Sequence, residues 1–119
     1  MGRIFIPLAV ILFCSSCVPR TLIVDHPKLV SLYFEKKIKS LESKKNLSTD
    51  QKRLLLKTKV EYGFGVLLEE SDRILDNDYN LGVKKSQEAY IVFSDAKKIG
   101  TSILINTYPG FDSWLSSET

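Results

Sequence analysis

The chain has 119 residues, 17 Lys and Arg against 14 Asp and Glu, one His, two Cys and 44% apolar residues. That length holds one small domain, and the apolar share excludes a fully disordered chain. Two Cys exclude a disulfide scaffold and a four-Cys zinc site, and a net charge of +3 is too small to indicate nucleic acid by itself.

The chain opens with one positive charge at Arg3 and an apolar run from Ile4 to Phe13, followed by Cys14-Ser15-Ser16-Cys17. This is the layout of a secretory leader. Ten helical residues reach about 15 Å, half of the roughly 30 Å hydrocarbon core, so a permanent span is the weaker reading. The small Ser16 before Cys17 resembles the lipobox of bacterial lipoproteins, whose Cys is acylated and becomes the mature N-terminus. Residues 1–16 are then the signal peptide, Cys17 the lipid attachment site, and residues 17–26 a tether. Stable anchoring needs two acyl chains or more. The alternatives are a plain cleaved signal and a buried core segment with two inert thiols.

Residues 27–119 read as one helical domain. Pro27 suits a first helical turn, where its missing donor costs nothing, and Asp25 is placed to complement that helix end. Val30, Phe34, Ile38 and Leu41 share one helical face in a helix from Lys28 to about Ser43. Ser48 and Gln51 form a capping-box pattern for a second helix, Thr49 to about Leu75. Its apolar stripe includes Leu54, Leu55, Leu56, Val60, Phe64, Leu67, Ile74 and Leu75, wide enough to pack on two sides. Gly63 and Gly65 each cost about 1 kcal/mol there relative to Ala, which close helix contact offsets.

Asp76-Asn77-Asp78 is a turn and cap cluster. A third helix follows, Tyr79 to about Asn106. One face reads Gly82, Ser86, Ala89, Phe93, Ala96, Gly100, Ile103 and Thr107, mostly small, so a neighbour can approach closely. The short connection implies an antiparallel hairpin. Tyr108-Pro109-Gly110-Phe111 breaks the helix, and Asp112-Ser113-Trp114-Leu115 starts a fourth. Such a short last helix has little to bury against. The pattern reads as the front part of a longer helical stack, a subunit completed by another chain, or a truncated product without function.

Charge is uneven. Arg20 to Lys59 holds 11 basic and 4 acidic residues, net +7, and Val60 to Thr119 holds 5 basic and 10 acidic, net −5. Solvated helix faces explain this; a basic layer touching anionic headgroups is the alternative. Aromatics do not interleave with the lysines, so nucleic acid is not expected as a partner.

Catalytic groupings are sparse. His26 is the only His, and its neighbour Asp25 is not evidence of a dyad. Metal-ligand spacing and phosphate-cradling Gly motifs do not occur, so no cofactor, metal or enzymatic activity is expected. Glu69, Glu70 and Asp72 lie on the polar side of a helix and read as a solvated face. Aromatics remain. Tyr62, Phe64, Tyr90, Phe93, Phe111 and Trp114 are candidates for an apolar ligand or partner surface. Phe64 and Phe93, at helical spacing, read first as core.

Several pieces, in order, resemble the T-component lipoproteins associated with TRAP transporters. They are Cys17, Asp25-His26-Pro27-Lys28-Leu29-Val30, Leu54-Leu55-Leu56, Tyr62-Gly63-Phe64-Gly65-Val66, Asp78-Tyr79, Ala89-Tyr90, Ala96-Lys97, Gly100 and Tyr108-Pro109-Gly110-Phe111. Tyr108 stands where that family has His, and Ser94-Asp95-Ala96-Lys97-Lys98 where it has an Arg-rich stretch. The resemblance covers about Asp25 to Leu115, the front portion of a longer family. It implies an all-α, TPR-like stack of antiparallel helical hairpins with a central pore. It further implies a lipid-anchored protein on the periplasmic side of the inner or outer membrane. Its partner there would be the transporter's solute-binding subunit, in uptake of an organic solute, apolar solutes included. A second copy of the chain is a further candidate partner. A structural envelope lipoprotein acting by protein contacts is the competing reading.

Overall fold

The computed structural model describes residues 26–118. The expected leader, Cys17, and the tether as far as Asp25 lie outside the described residues. The chain divides into two units, residues 1–30 and 31–119. Of the first unit, the described residues are the opening turn of a helix.

Every regular element among the described residues is helical, as the hydrophobic spacing predicts: α1 Pro27–Glu42, α2 Thr49–Tyr62, a π-helical segment Gly63–Leu68, α3 Glu69–Leu75, α4 Tyr79–Thr107 and α5 Phe111–Ser117. The fold is all-α. α1 starts where Pro27 permits, with the His26 carbonyl accepting the N–H groups of Leu29 and Val30 at 3.1 and 3.2 Å. Ser48 closes the expected capping box. Its hydroxyl accepts the Gln51 N–H at 3.2 Å, and the Gln51 side chain accepts the Ser48 N–H at 3.0 Å. That reciprocal pair satisfies two donors a helix start leaves open.

α2, the π segment and α3 run on as one rod. Its far end is finished by the N–H groups of Asn77 and Asp78, which donate to the Ile74 carbonyl at 2.9 and 2.8 Å. Asp78 then caps α4, accepting the Leu81 N–H at 3.0 Å. α4 stops before Pro109, with Tyr108 extended (φ −122°, ψ 96°) as the residue before a proline prefers. Gly110 turns the chain with φ +92°, the one positive φ among the described residues, and α5 follows.

The rod and α4 form an antiparallel hairpin, and its register can be followed residue by residue. Gly100 lies against Leu56, Gly63 against Phe93, and Gly82 against Leu75. Ser71 meets Ser86 at 2.8 Å. From Gly63 to Ser71 the rod uses eight residues, while α4 uses seven from Phe93 to Ser86. The extra residue falls in the π segment, whose wider turn takes up one more residue than an α turn.

The small stripe of α4 lets this hairpin close. Gly82, Ala89 and Ala96 are buried, facing Leu55, Val66 and Leu67 on the rod side of the core. Ser71 is fully buried, donating to the Gly82 carbonyl at 2.8 Å. Thr58, also fully buried, donates to its own helix at the Leu54 carbonyl. Buried hydroxyls that bond in this way avoid the desolvation cost of an orphaned group.

α1 joins differently. Among the described residues, none of its Cα atoms from Ser31 onward comes within 8 Å of one in another helix. Long side chains fill the distance. Leu41 is buried, and Phe34 meets Tyr62 with ring centroids 6.1 Å apart. Helix spacing follows side-chain size, so large residues here and small ones in the hairpin give two different separations.

Candidate functional site

Five of the six aromatic candidates fall into three ring pairs. Phe64 and Phe93 stack at 4.6 Å, Tyr62 sits against Phe34 of α1, and Phe111 lies 5.6 Å from Trp114. Tyr90 is 74% exposed and Trp114 57%. Phe64 departs from its core expectation: it is 60% exposed. The physical reason is the tight hairpin. Gly63, not Phe64, occupies the contact position, so the next residue in the π segment is turned outward across the edge of Phe93. These residues put aromatic surface on the outside of the hairpin. Of the six, Tyr62 alone lines the cleft described next.

That cleft lies between α1, α2 and α4 and encloses about 400 Å³. It was not foreseen from the sequence. Glu35, Ile38, Lys39 and Glu42 come from α1, Lys59 and Tyr62 from α2, and Val92 and Asp95 from α4. Lys59 is its distinctive member, with a side chain only 8% exposed. It stands four residues after Leu55, on the buried face. Its ammonium pairs with Glu42 of α1 and lies 3.6 Å from Asp95 of α4. One buried cation therefore bridges three helices. Across the cleft, the Tyr62 hydroxyl donates to Glu35 at 3.1 Å, and Ser31 donates to the same carboxylate oxygen at 2.9 Å.

Burial lifts the Tyr62 hydroxyl above its usual titration range. The bond to Glu35 and the negative charge of Glu35 add to this, and Ser31 works against it. On the hairpin, Lys85 lies 3.5 Å from Glu70 and 3.3 Å from Glu88. Partial burial works to lower its pKa, but the bonds and charges of Glu88 and Glu70 outweigh it and raise the pKa. Glu70 is thus an ion-pair partner, as a solvated helix face allows. His26 is exposed at the start of α1.

Among the described residues no group of His, Cys, Asp and Glu is arranged to hold a metal ion, and no helix is long and apolar enough to cross a membrane. Polar groups converge in the cleft, and rings stand exposed on the hairpin.

The sequence signal for the cleft was slight. A lysine among apolar residues at i and i+4 is normally a snorkelling surface residue, and only the approach of α1 and α4 makes Lys59 interior. No protein-family model, curated protein or solved structure matches the chain.

Proposed function

We propose that this is a helical lipoprotein of the bacterial cell envelope that works by contact. It is anchored through acylated Cys17 and presents its hairpin to a protein partner on the periplasmic side. The resemblance to TRAP T-components names that partner as a solute-binding subunit and the role as aiding uptake of an organic solute. The observation that supports a contact role is the placement of large rings. The hairpin closes with Gly, Ala and Ser, while Phe64 and Tyr90 remain mostly exposed. A helix pair that does not need these rings for its own packing has them free for a partner.

The test is to isolate the membrane-bound chain from a cell that also makes a TRAP solute-binding subunit. Co-isolation of that subunit, lost when Phe64 and Tyr90 are replaced by Ser, supports the reading. Its absence from the isolate returns the chain to a structural envelope role. Mass spectrometry of the mature N-terminus checks the anchor separately, through the acyl mass on Cys17.

A further inference from the structure

The two carboxylates of α1, Glu35 and Glu42, both turn toward the hairpin and remain exposed to solvent there. Glu35 is held by Tyr62 and Ser31, and Glu42 by Lys59. The opposite face of the helix is left with one sign of charge. At 100° per residue, Tyr33, Lys36, Lys37 and Ser40 fall within an arc of about 100°, with Leu32 beside Lys36. Leu32 is 51% exposed and Tyr33 59%, and the Lys37 ammonium lies 5.6 Å over the Tyr33 ring. Among the described residues, neither Lys36 nor Lys37 has a carboxylate within ion-pair distance.

We infer that this outer face of α1 rests on an anionic lipid surface. Apolar side chains interleaved with lysines, on a face cleared of acid, match an interface of acyl chains below and negative headgroups above. Lysine stems lie along apolar surface while their heads reach the phosphates. The inference rests on the proposed anchor for its setting. Cys17 precedes α1 by ten residues, which span at most about 36 Å when extended, so acylation would keep this face within reach of the bilayer. The surface also accounts for the charge between anchor and hairpin: residues 20–48 hold seven basic and three acidic residues, whereas residues 49–107 hold nine of each. Headgroup contact of this kind adds a second point of attachment beside the anchor and holds the exposed rings of the hairpin at a set height.

The test uses the full chain with Cys14→Ser, Cys17→Ser and Ser40→Cys, labelled at residue 40 with an environment-sensitive dye. Cys17→Ser removes acylation, so the result does not depend on the anchor. Vesicles of phosphatidylcholine with phosphatidylglycerol should shift the dye to the blue, and vesicles of phosphatidylcholine alone should not. Adding Lys36→Gln and Lys37→Gln should raise the lipid concentration for half-maximal shift on the order of tenfold or more, at about fivefold per lysine. The same dye at Lys97→Cys on α4 should stay unshifted. An equal response to both vesicle types, or an unchanged response in the lysine variant, overturns the inference. So does a lysine-dependent dimer in the absence of vesicles, which assigns the face to a second copy. An unmodified Cys17 found by mass spectrometry removes the anchor but leaves the vesicle result standing.

Discussion

Gly63 lies close against the ring of Phe93: a Cβ built on Gly63 would stand 2.5 Å from Phe93 Cε1 and 2.7 Å from Cζ. Two residues on, Gly65 has no atom within 4 Å of the same position. The two glycines therefore respond oppositely to the same substitution. Gly63→Ala must displace Phe93 and its stacking on Phe64, and should destabilise by about 1–2 kcal/mol after the helix-propensity gain. Gly65→Ala meets open space and should be neutral or stabilising by up to about 1 kcal/mol. Denaturant midpoints of the two variants check this; equal shifts would contradict the packing described.

Lys59 is held by two carboxylates that are themselves about half-exposed. Removing the cation frees groups that water can solvate, whereas removing both anions leaves a buried charge. Lys59→Met should change stability by about 1 kcal/mol or less. Glu42→Ala with Asp95→Ala should cost about 3 kcal/mol, and the loss should exceed the sum of the single changes, because either carboxylate alone still serves Lys59. A double-mutant cycle by urea unfolding measures it.

Tyr62 and Lys85 both carry folded-state pKa values above their ordinary 10.0 and 10.5. Each holds its proton more tightly folded than unfolded. The stabilisation is therefore complete below the unfolded pKa and is lost as pH rises through the folded one. Stability should be level from neutral pH to about pH 9.5 and then fall. Tyr62→Phe should be weaker at neutral pH by about 1 kcal/mol, having lost the bond to Glu35. Its alkaline fall should be shallower, with only Lys85 left to contribute from this pair. Urea midpoints across the alkaline range read both effects.

Phe64→Ser with Tyr90→Ser addresses the exposed rings. Both side chains are more exposed than buried, so the hairpin should keep its helical content and lose about 1 kcal/mol or less. Capture of the solute-binding subunit should drop at least tenfold, as loss of about 1.4 kcal/mol or more at an aromatic anchor implies. Circular dichroism beside a binding titration separates the two quantities.

Much of the helical layout was legible in residue spacing. Ser48 with Gln51, Asp78 before Tyr79, and Pro109 after Tyr108 mark helix ends by local chemistry that needs no tertiary context. The small stripe from Gly82 to Gly100 likewise announced a close antiparallel neighbour. What spacing could not convey was anything set by a third helix. Lys59 is interior because α1 and α4 both reach it, and Glu35 and Glu42 turn toward the hairpin because Tyr62 and Lys59 receive them. The π segment was hidden for another reason. Gly63 and Gly65 signalled a weak point in a helix, but a change from α to π hydrogen bonding depends on the register of the opposing helix.

That register has a consequence for how the hairpin tolerates change in length. Losing one residue ahead of the π segment would rotate every following contact by about 100° and carry Leu67, Ser71 and Leu75 off the core side, and a loss between Leu68 and Ser71 would do the same to Ser71 and Leu75. Inside the π segment, the loss would be absorbed. Without Gly65, seven residues would face seven between the Gly63–Phe93 and Ser71–Ser86 contacts, and an unbroken α-helix would still bring Ser71 to Ser86. The wide turn thus behaves as a slack link, the spot where a codon can be dropped while both ends of the hairpin stay matched.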